Sequence, residues 1–397
     1  MATTVPKCSA RQRASRVPLI LHVFSSFAVG GPQVRLAKLI AHLGDRYRHA
    51  IVAMDGDYAC RSRLPANLDI DFPRVPFRKG RTVANVWNFR NFIRGLGPDA
   101  MVTSNWGTIE WSMANAGGIV RQIHTEDGFG PEERDSQIAR RVWARWAFLR
   151  RSQIVVPSRL LQRLAIDTWA LPPARVTYIP NGIDCAAFAP GCPHAEDAER
   201  PLVIGTVAAL RPEKNLPRLL RAFQQTLLER PARLVIVGDG PERDSLERLA
   251  GEMNLRGLVH FAGHADAPAR AYAGFDIFAL SSDTEQMPLA VIEAMAAGLP
   301  IAATDVGDVA AMVARDNRRF VTARDHDALA AAINALMSDR GLRRRLGAAN
   351  REKAVRLYDQ SAMFAAYSRL FETAVAAEGP SRLRRLRPAA DGTAQHV

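Results

Sequence analysis

The chain has 397 residues, 48% of them apolar and 23% charged, a balance that excludes wholesale disorder, a collagen-like repeat and a disulfide scaffold. A chain this long outgrows one hydrophobic core and suits two α/β domains. Its 53 lysines and arginines against 40 aspartates and glutamates leave a formal net charge of +13, which favours anionic partners: nucleoside diphosphates, anionic lipid head groups or nucleic acid.

Cys8, Cys60, Cys185 and Cys192 show no tight metal-ligand spacing and are too sparse for a disulfide framework, so a reducing, cytoplasmic setting is expected. Lys7, Arg11, Arg13 and Arg16 precede an apolar run at 17–23 that is short and interrupted by His22. That run reads as a first strand and not as a signal peptide. No stretch approaches the roughly 18 apolar residues that span a bilayer, so any membrane contact is expected to be peripheral.

In chain order, short β-branched runs at 18–24, 50–53, 100–103 and 153–156 alternate with helical patterns, which predicts βαβ units and a parallel sheet. After the first strand, Gly30-Gly31 precedes a helix from about Gln33. By itself a glycine pair there marks a simple turn. The segment Ile123-His-Thr-Glu-Asp-Gly-Phe-Gly130 ends a predicted strand with polar residues, and Glu126 and Asp127 are placed to orient His124 or to take a proton. A lone histidine is more often structural. Next comes a basic aromatic helix, with Arg140, Arg141, Arg145, Arg150 and Arg151 beside Trp143, Trp146 and Phe148. The favoured reading packs its aromatics on the sheet and leaves its arginines wet; the rival reading rests the helix on an anionic membrane.

A polar, Pro-containing stretch follows, and the strand pattern restarts at 202–207, 233–237, 259–262, 277–281 and 301–303. This predicts a flexible N-terminus at 1–16, a first domain at 17–188, a linker at 189–201 and a second domain at 202–357. A final helix at 358–378, packing back on the first domain, and a basic tail at 379–397 complete the chain. Each domain reads as a doubly wound sheet whose ligands sit beyond the carboxyl ends of its strands, with the active site expected in the cleft between them.

The richest stretch is Ser281-Ser-Asp-Thr-Glu-Gln-Met-Pro-Leu-Ala-Val-Ile-Glu-Ala-Met-Ala-Ala-Gly298. Pro288 suits a first helical turn, and Gly298 followed by Pro300 suits an end. A short helix opening from a strand and loop at Leu289 offers unsatisfied N–H groups and partial positive charge to a diphosphate. Glu285 would sit at its mouth near a sugar, and Glu293 would turn sideways to ribose hydroxyls. From spacing alone, the two carboxylates are as well explained as a dipole partner and a surface charge.

This stretch resembles the signature of retaining GT-B glycosyltransferases of family 4: two glutamates with seven residues between them, then Ala-Met-Ala-Ala-Gly-Leu-Pro and a strand leading to Asp-Val-Gly307. Three further stretches resemble the family in the same order: Gly205-Thr-Val-Ala-Ala-Leu-Arg-Pro-Glu-Lys-Asn215, Val235-Ile-Val-Gly-Asp-Gly-Pro-Glu242 and, in the first half, the loop around Gly30 and Gly31. Pro180-Asn-Gly-Ile-Asp184 resembles the family's hinge signature, for which a turn role suffices.

The resemblance implies two Rossmann-like doubly wound domains and transfer of a sugar, with retention, from a nucleoside-diphosphate sugar. A UDP- or GDP-sugar donor is expected, without a further cofactor. It implies that Glu285 contacts the donor sugar, Glu293 the ribose, and Lys214 the diphosphate, whose growing charge an ammonium stabilises. His124 matches a family histidine near the sugar; Gly30, Gly31, Gly238, Gly240 and Leu289 fall with the donor-binding residues. The family arginine five residues before the lysine is Ala209 here, and Arg211 is the candidate stand-in. No metal is implied. The expected acceptor is a glycan or lipid-linked intermediate of cell-surface glycan synthesis, with no specific nucleic acid. The rival readings are a nucleotide-sugar epimerase on the same fold and a basic nucleic-acid binder.

Overall fold

The structure, a computed structural model, describes residues 16–129, 131–133, 136–188, 200–265 and 267–376. Of the expected segments, 1–15, 189–199 and the tail 379–397 lie outside these residues. Contacts divide the described residues into two compact units: those up to 156 with 164–177 and 366–376 form the first, and those within 157–163 and 178–365 the second.

The first unit holds a seven-stranded sheet of β1 (Leu19–Phe24), β2 (Arg48–Ala53), β3 (Ile70–Asp71), β4 (Ala100–Ser104), β5 (Arg121–Thr125), β6 (Gln153–Val156) and β7 (Val176–Tyr178). Its order is β3-β2-β1-β4-β5-β6-β7. All six residues of β1 are buried, as a strand covered on both faces requires. Leu19, Leu21 and Val23 enter one core with Phe89, Ile93 and Trp111, while Phe24 enters the other with Leu36 and Ile40 of the helix Gly31–Leu43. Successive side chains of one strand thus feed cores on opposite faces. The end of the helix Gln360–Ala376 belongs to this unit, where Phe371 packs edge-on against His22 and Tyr47.

The second unit repeats the plan with β8 (Leu202–Val207), β9 (Ala232–Val237), β10 (Val259–Gly263), β11 (Ile277–Leu280), β12 (Ile301–Thr304) and β13 (Val321–Thr322), in the order β10-β9-β8-β11-β12-β13. The pairings are parallel. Leu202 and Ile204 meet Leu219, Phe223, Ile333 and Leu336 on one face. On the other, Tyr272, Phe275 and Phe278 meet Val291, Ile292 and Met295 of the helix Leu289–Ala296. Two Rossmann-like sheets follow, each reversing strand order beside its first strand: between β1 and β4, and between β8 and β11. Loops leaving adjacent strands in opposite directions open a crevice there, where ligands of such sheets bind.

Candidate functional site

In the second unit the switch point gathers the predicted residues. The loop after β8 ends in a 3₁₀ turn, Pro212–Lys214, closed by Asn215 in the left-handed region at φ 42°. The loop after β11 runs from Ser281 to Pro288. Because β8 and β11 are neighbours, Lys214 and Glu285, 71 positions apart, meet: Nζ donates to Oε1 at 2.5 Å, and Ser282 Oγ donates to the same oxygen at 3.0 Å. The pair is only partly exposed, 22% and 12% of the side chains. Among the described residues nothing hydrogen-bonds Glu285 Oε2, and an ammonium has two further N–H bonds to give. The arrangement therefore offers one acceptor and up to two charged donors.

The two loops are pinned to each other. Ser281 Oγ donates to the Lys214 carbonyl at 2.9 Å, the Asp283 amide to the Glu213 carbonyl at 2.9 Å, and Arg218 pairs with Asp283 at 2.8 Å. Thr304 Oγ1 donates to the Ser282 carbonyl at 2.7 Å. Gly307, at φ 56°, lies so close that a Cβ would sit 2.3 Å from the Glu285 carbonyl oxygen, so only glycine lets that loop back the carboxylate. Asn181, read from sequence as part of a turn, donates through Nδ2 to the Met287 carbonyl at 3.1 Å and so braces the run into the helix.

That helix, Leu289–Ala296, opens at Pro288 with no side-chain cap and no acidic residue in its first turn, which leaves its leading N–H groups and positive end open to an anion. Leu289 is its first residue. Glu293 lies one turn in, and its Oε2 accepts from the Tyr272 hydroxyl at 2.7 Å. Tyr272 is fully buried; burial first, then the carboxylate, raises its phenol well above the ordinary value and keeps it the donor. Tyr272 carried no signal in the sequence, since a tyrosine in an apolar run reads as core.

Gly238 and Gly240 let the chain's own backbone approach closely. Both have positive φ, and a Cβ would lie 1.8 Å from the Ala208 carbonyl oxygen at the first and 2.5 Å from the Leu210 carbonyl oxygen at the second. The space they leave is filled by the protein's own loop after β8, which Ala208 and Leu210 tie through amides to Val237 and Asp239. Arg211 and Ala209 are both exposed; the Arg211 carbonyl accepts from the Lys214 amide at 3.0 Å, and its guanidinium makes no hydrogen bond with the Lys214–Glu285 pair among the described residues.

The first unit treats its polar residues differently. Gly30 has extended backbone at φ −160°, open to any residue, and precedes a helix beginning at Gly31 without a side-chain cap. His124, expected near a sugar, is completely buried on β5: Nδ1 lies 2.9 Å from Thr103 Oγ1 and Nε2 3.5 Å from Glu126 Oε2. Arg145 Nε reaches the same Glu126 oxygen at 3.5 Å. Arg145 also forms a two-point bond to Glu133, at 3.1 and 3.2 Å, and its guanidinium lies over Trp106, Phe129 and Trp169. Asp127 points elsewhere, into a two-point bond with Arg35 at 2.6 and 2.8 Å.

The helix Ala139–Leu149 overturns the favoured reading of the basic aromatic stretch. Arg145 is wholly buried and Arg141 half-buried on Glu132 and Glu133, whereas Trp143 is 60% and Trp146 39% exposed. The cause is the stripe 141, 144, 145, 148 and 149: helical spacing turns those positions inward together, and the buried Glu133 supplies the charge that lets arginines occupy them. Among the described residues no cluster of His, Cys, Asp or Glu suits a metal, and no helix is long and apolar enough to cross a membrane.

Comparison with known proteins places the chain. The family model described as glycosyl transferases group 1 matches residues 194–353, and that described as glycosyltransferase family 4 matches residues 29–187. Among curated relatives, a sulfoquinovosyl transferase of Arabidopsis thaliana is 28% identical over 69% of this chain and 55% of its own. A lipopolysaccharide core biosynthesis glycosyltransferase of Rhizobium meliloti is 34% identical over 36% of this chain and 44% of its own. The chain spans about half the length of the curated relatives it matches. An Anabaena protein solved in complex with UDP-glucose superimposes with a TM-score of 0.74 at 17% identity, covering 89% of this chain and 99% of that one. A glycosyltransferase from Rickettsia africae does so with 0.73 at 15%, covering 91% and 99%; at such identities the likeness is one of fold. With two family models matched in chain order over most of its length and two doubly wound sheets beneath them, this chain belongs to the group 1, family 4 glycosyltransferases of GT-B fold.

Proposed function

We propose that the chain transfers a sugar, with retention of anomeric configuration and without a metal ion, from a nucleoside-diphosphate sugar to a hydroxyl of a glycan or lipid-linked acceptor. The observation that carries this reading is the Lys214–Glu285 pair at the crevice between β8 and β11, beside an uncapped helix start. In this reading Lys214 and the amides at Leu289 hold the diphosphate, Glu285 Oε2 accepts from a sugar hydroxyl, and Glu293, held by Tyr272, accepts from the ribose. The bond from the anomeric carbon to the diphosphate oxygen breaks while the acceptor oxygen bonds to that carbon on the same face. The acceptor proton passes to the departing phosphate oxygen, and Lys214 offsets the charge that grows there. His124 enters as a framework group that positions Glu126 and not as one touching the sugar. A lipid-linked or polysaccharide acceptor is part of the proposal; the Rhizobium relative is named for lipopolysaccharide core biosynthesis.

The test is release of free nucleoside diphosphate from a panel of UDP-, GDP- and ADP-sugars, with Lys214→Ala and Glu285→Ala alongside. One donor should be turned over, with a loss of about 10²- to 10³-fold in each variant and no effect of EDTA. Turnover of no donor, or variants as active as the parent, contradicts the reading; abolition by EDTA contradicts its metal-free part.

A further inference from the structure

We propose that the outward face of the helix Ala139–Leu149 docks the chain on a bilayer containing anionic lipids. The stripe 141, 144, 145, 148 and 149 already serves the interior, so Trp143 and Trp146 are left facing water. Large exposed aromatics grouped on one helix face mark a contact surface. Around them Arg140, Arg150 and Arg151 are exposed and, among the described residues, in no ion pair. Positions 139–151 include no acidic residue. The Arg150 guanidinium lies 5.3 Å from the Trp146 ring centroid, and Trp143 packs edge-on against Phe148. An indole beneath a guanidinium is the pairing that suits the head-group layer, where one end of the group is apolar and the other wet.

The short helix Ile109–Ala114 packs against both this helix and Thr82–Leu96, which carries Trp87 at 66% and Val83 at 86% exposure. Charge decides the occupant: a second copy would set the same cationic face against itself, whereas anionic head groups complement it, each basic residue strengthening binding about fivefold near the surface.

The experiment uses the full chain with vesicles of phosphatidylcholine, with and without phosphatidylglycerol, following co-sedimentation and quenching of tryptophan by brominated lipids. Binding should require the anionic lipid and weaken as salt rises. It should fall about tenfold or more in Trp143→Ser/Trp146→Ser and about 25-fold in Arg150→Gln/Arg151→Gln. Donor hydrolysis and melting temperature should stay unchanged, because all four side chains are exposed; this separates the docking surface from the transfer activity. Absence of binding to anionic vesicles, binding that survives in both double variants, or a tryptophan-dependent dimer that forms without lipid would overturn the proposal.

Discussion

The two units share one topology and use their polar residues in opposite ways. At the second unit's switch point, Lys214, Glu285 and the start of Leu289–Ala296 are tied to the framework yet keep bonding capacity. In the first unit, Thr103, His124, Glu126, Arg145 and Glu133 form a chain of contacts in the interior, with His124, Glu126 and Arg145 fully buried. A titratable group near a strand end therefore says little until its burial and partners are known: the partly exposed pair suits a ligand, and the buried chain suits stability.

The comparison breaks most visibly at Arg145. Replacing it by alanine leaves Glu133 and Glu126 buried without their countercharge, and should cost about 3–5 kcal/mol. Arg140→Ala, one turn earlier on the exposed side, should change stability by about 0.5 kcal/mol or less. Urea unfolding followed in the first unit checks both; equal effects would mean that Arg145 is not the buried centre described.

A buried histidine pair gives the next largest effect. His22 Nε2 and His49 Nδ1 lie 3.1 Å apart on β1 and β2, both almost fully buried. Burial, joined by the facing ring, holds His22 well below the ordinary value, and burial pushes His49 down to about 4. Tyr47 and Phe371 are the other rings against the pair. The unfolded chain takes up protons near pH 6.5 while the native one refuses them, so stability is intact above 6.5 and lost as pH falls toward 4. His49 alone contributes on the order of 3 kcal/mol to that loss. The melting temperature should drop over this window and flatten in His22→Phe/His49→Phe, which removes both partners and leaves no unpaired nitrogen. An unchanged acid profile in that variant would assign the acid loss to other groups.

How much of this was legible depended on range. Strands such as β1, β8 and β11 were readable because fully buried strands give continuous apolar runs, whereas β3, β7 and β13 have two or three residues and no period to detect. Glu285 and Lys214 were readable as family positions, but their ion pair follows from β8 lying beside β11, which no local spacing encodes. Asn181 under Met287 and Tyr272 behind Glu293 are likewise products of topology. The helix Ala139–Leu149 was misread for a simpler reason: tryptophan was assigned inward and arginine outward by residue type. Its 141-144-145-148-149 stripe, with Glu132 and Glu133 just upstream, carried the opposite information.

The most direct test of the central claim, that Lys214 serves the diphosphate and Glu285 the sugar, is calorimetric titration of the preferred nucleotide sugar and of its free nucleoside diphosphate. Three proteins are compared: the parent chain, Lys214→Ala and Glu285→Ala. Loss of a hydrogen bond to a charged group weakens binding about tenfold or more, so Lys214→Ala should weaken both ligands by that factor and Glu285→Ala only the sugar conjugate. If Glu285→Ala weakened both ligands equally, or if all three proteins bound both alike, the division of labour described for this pair would be wrong.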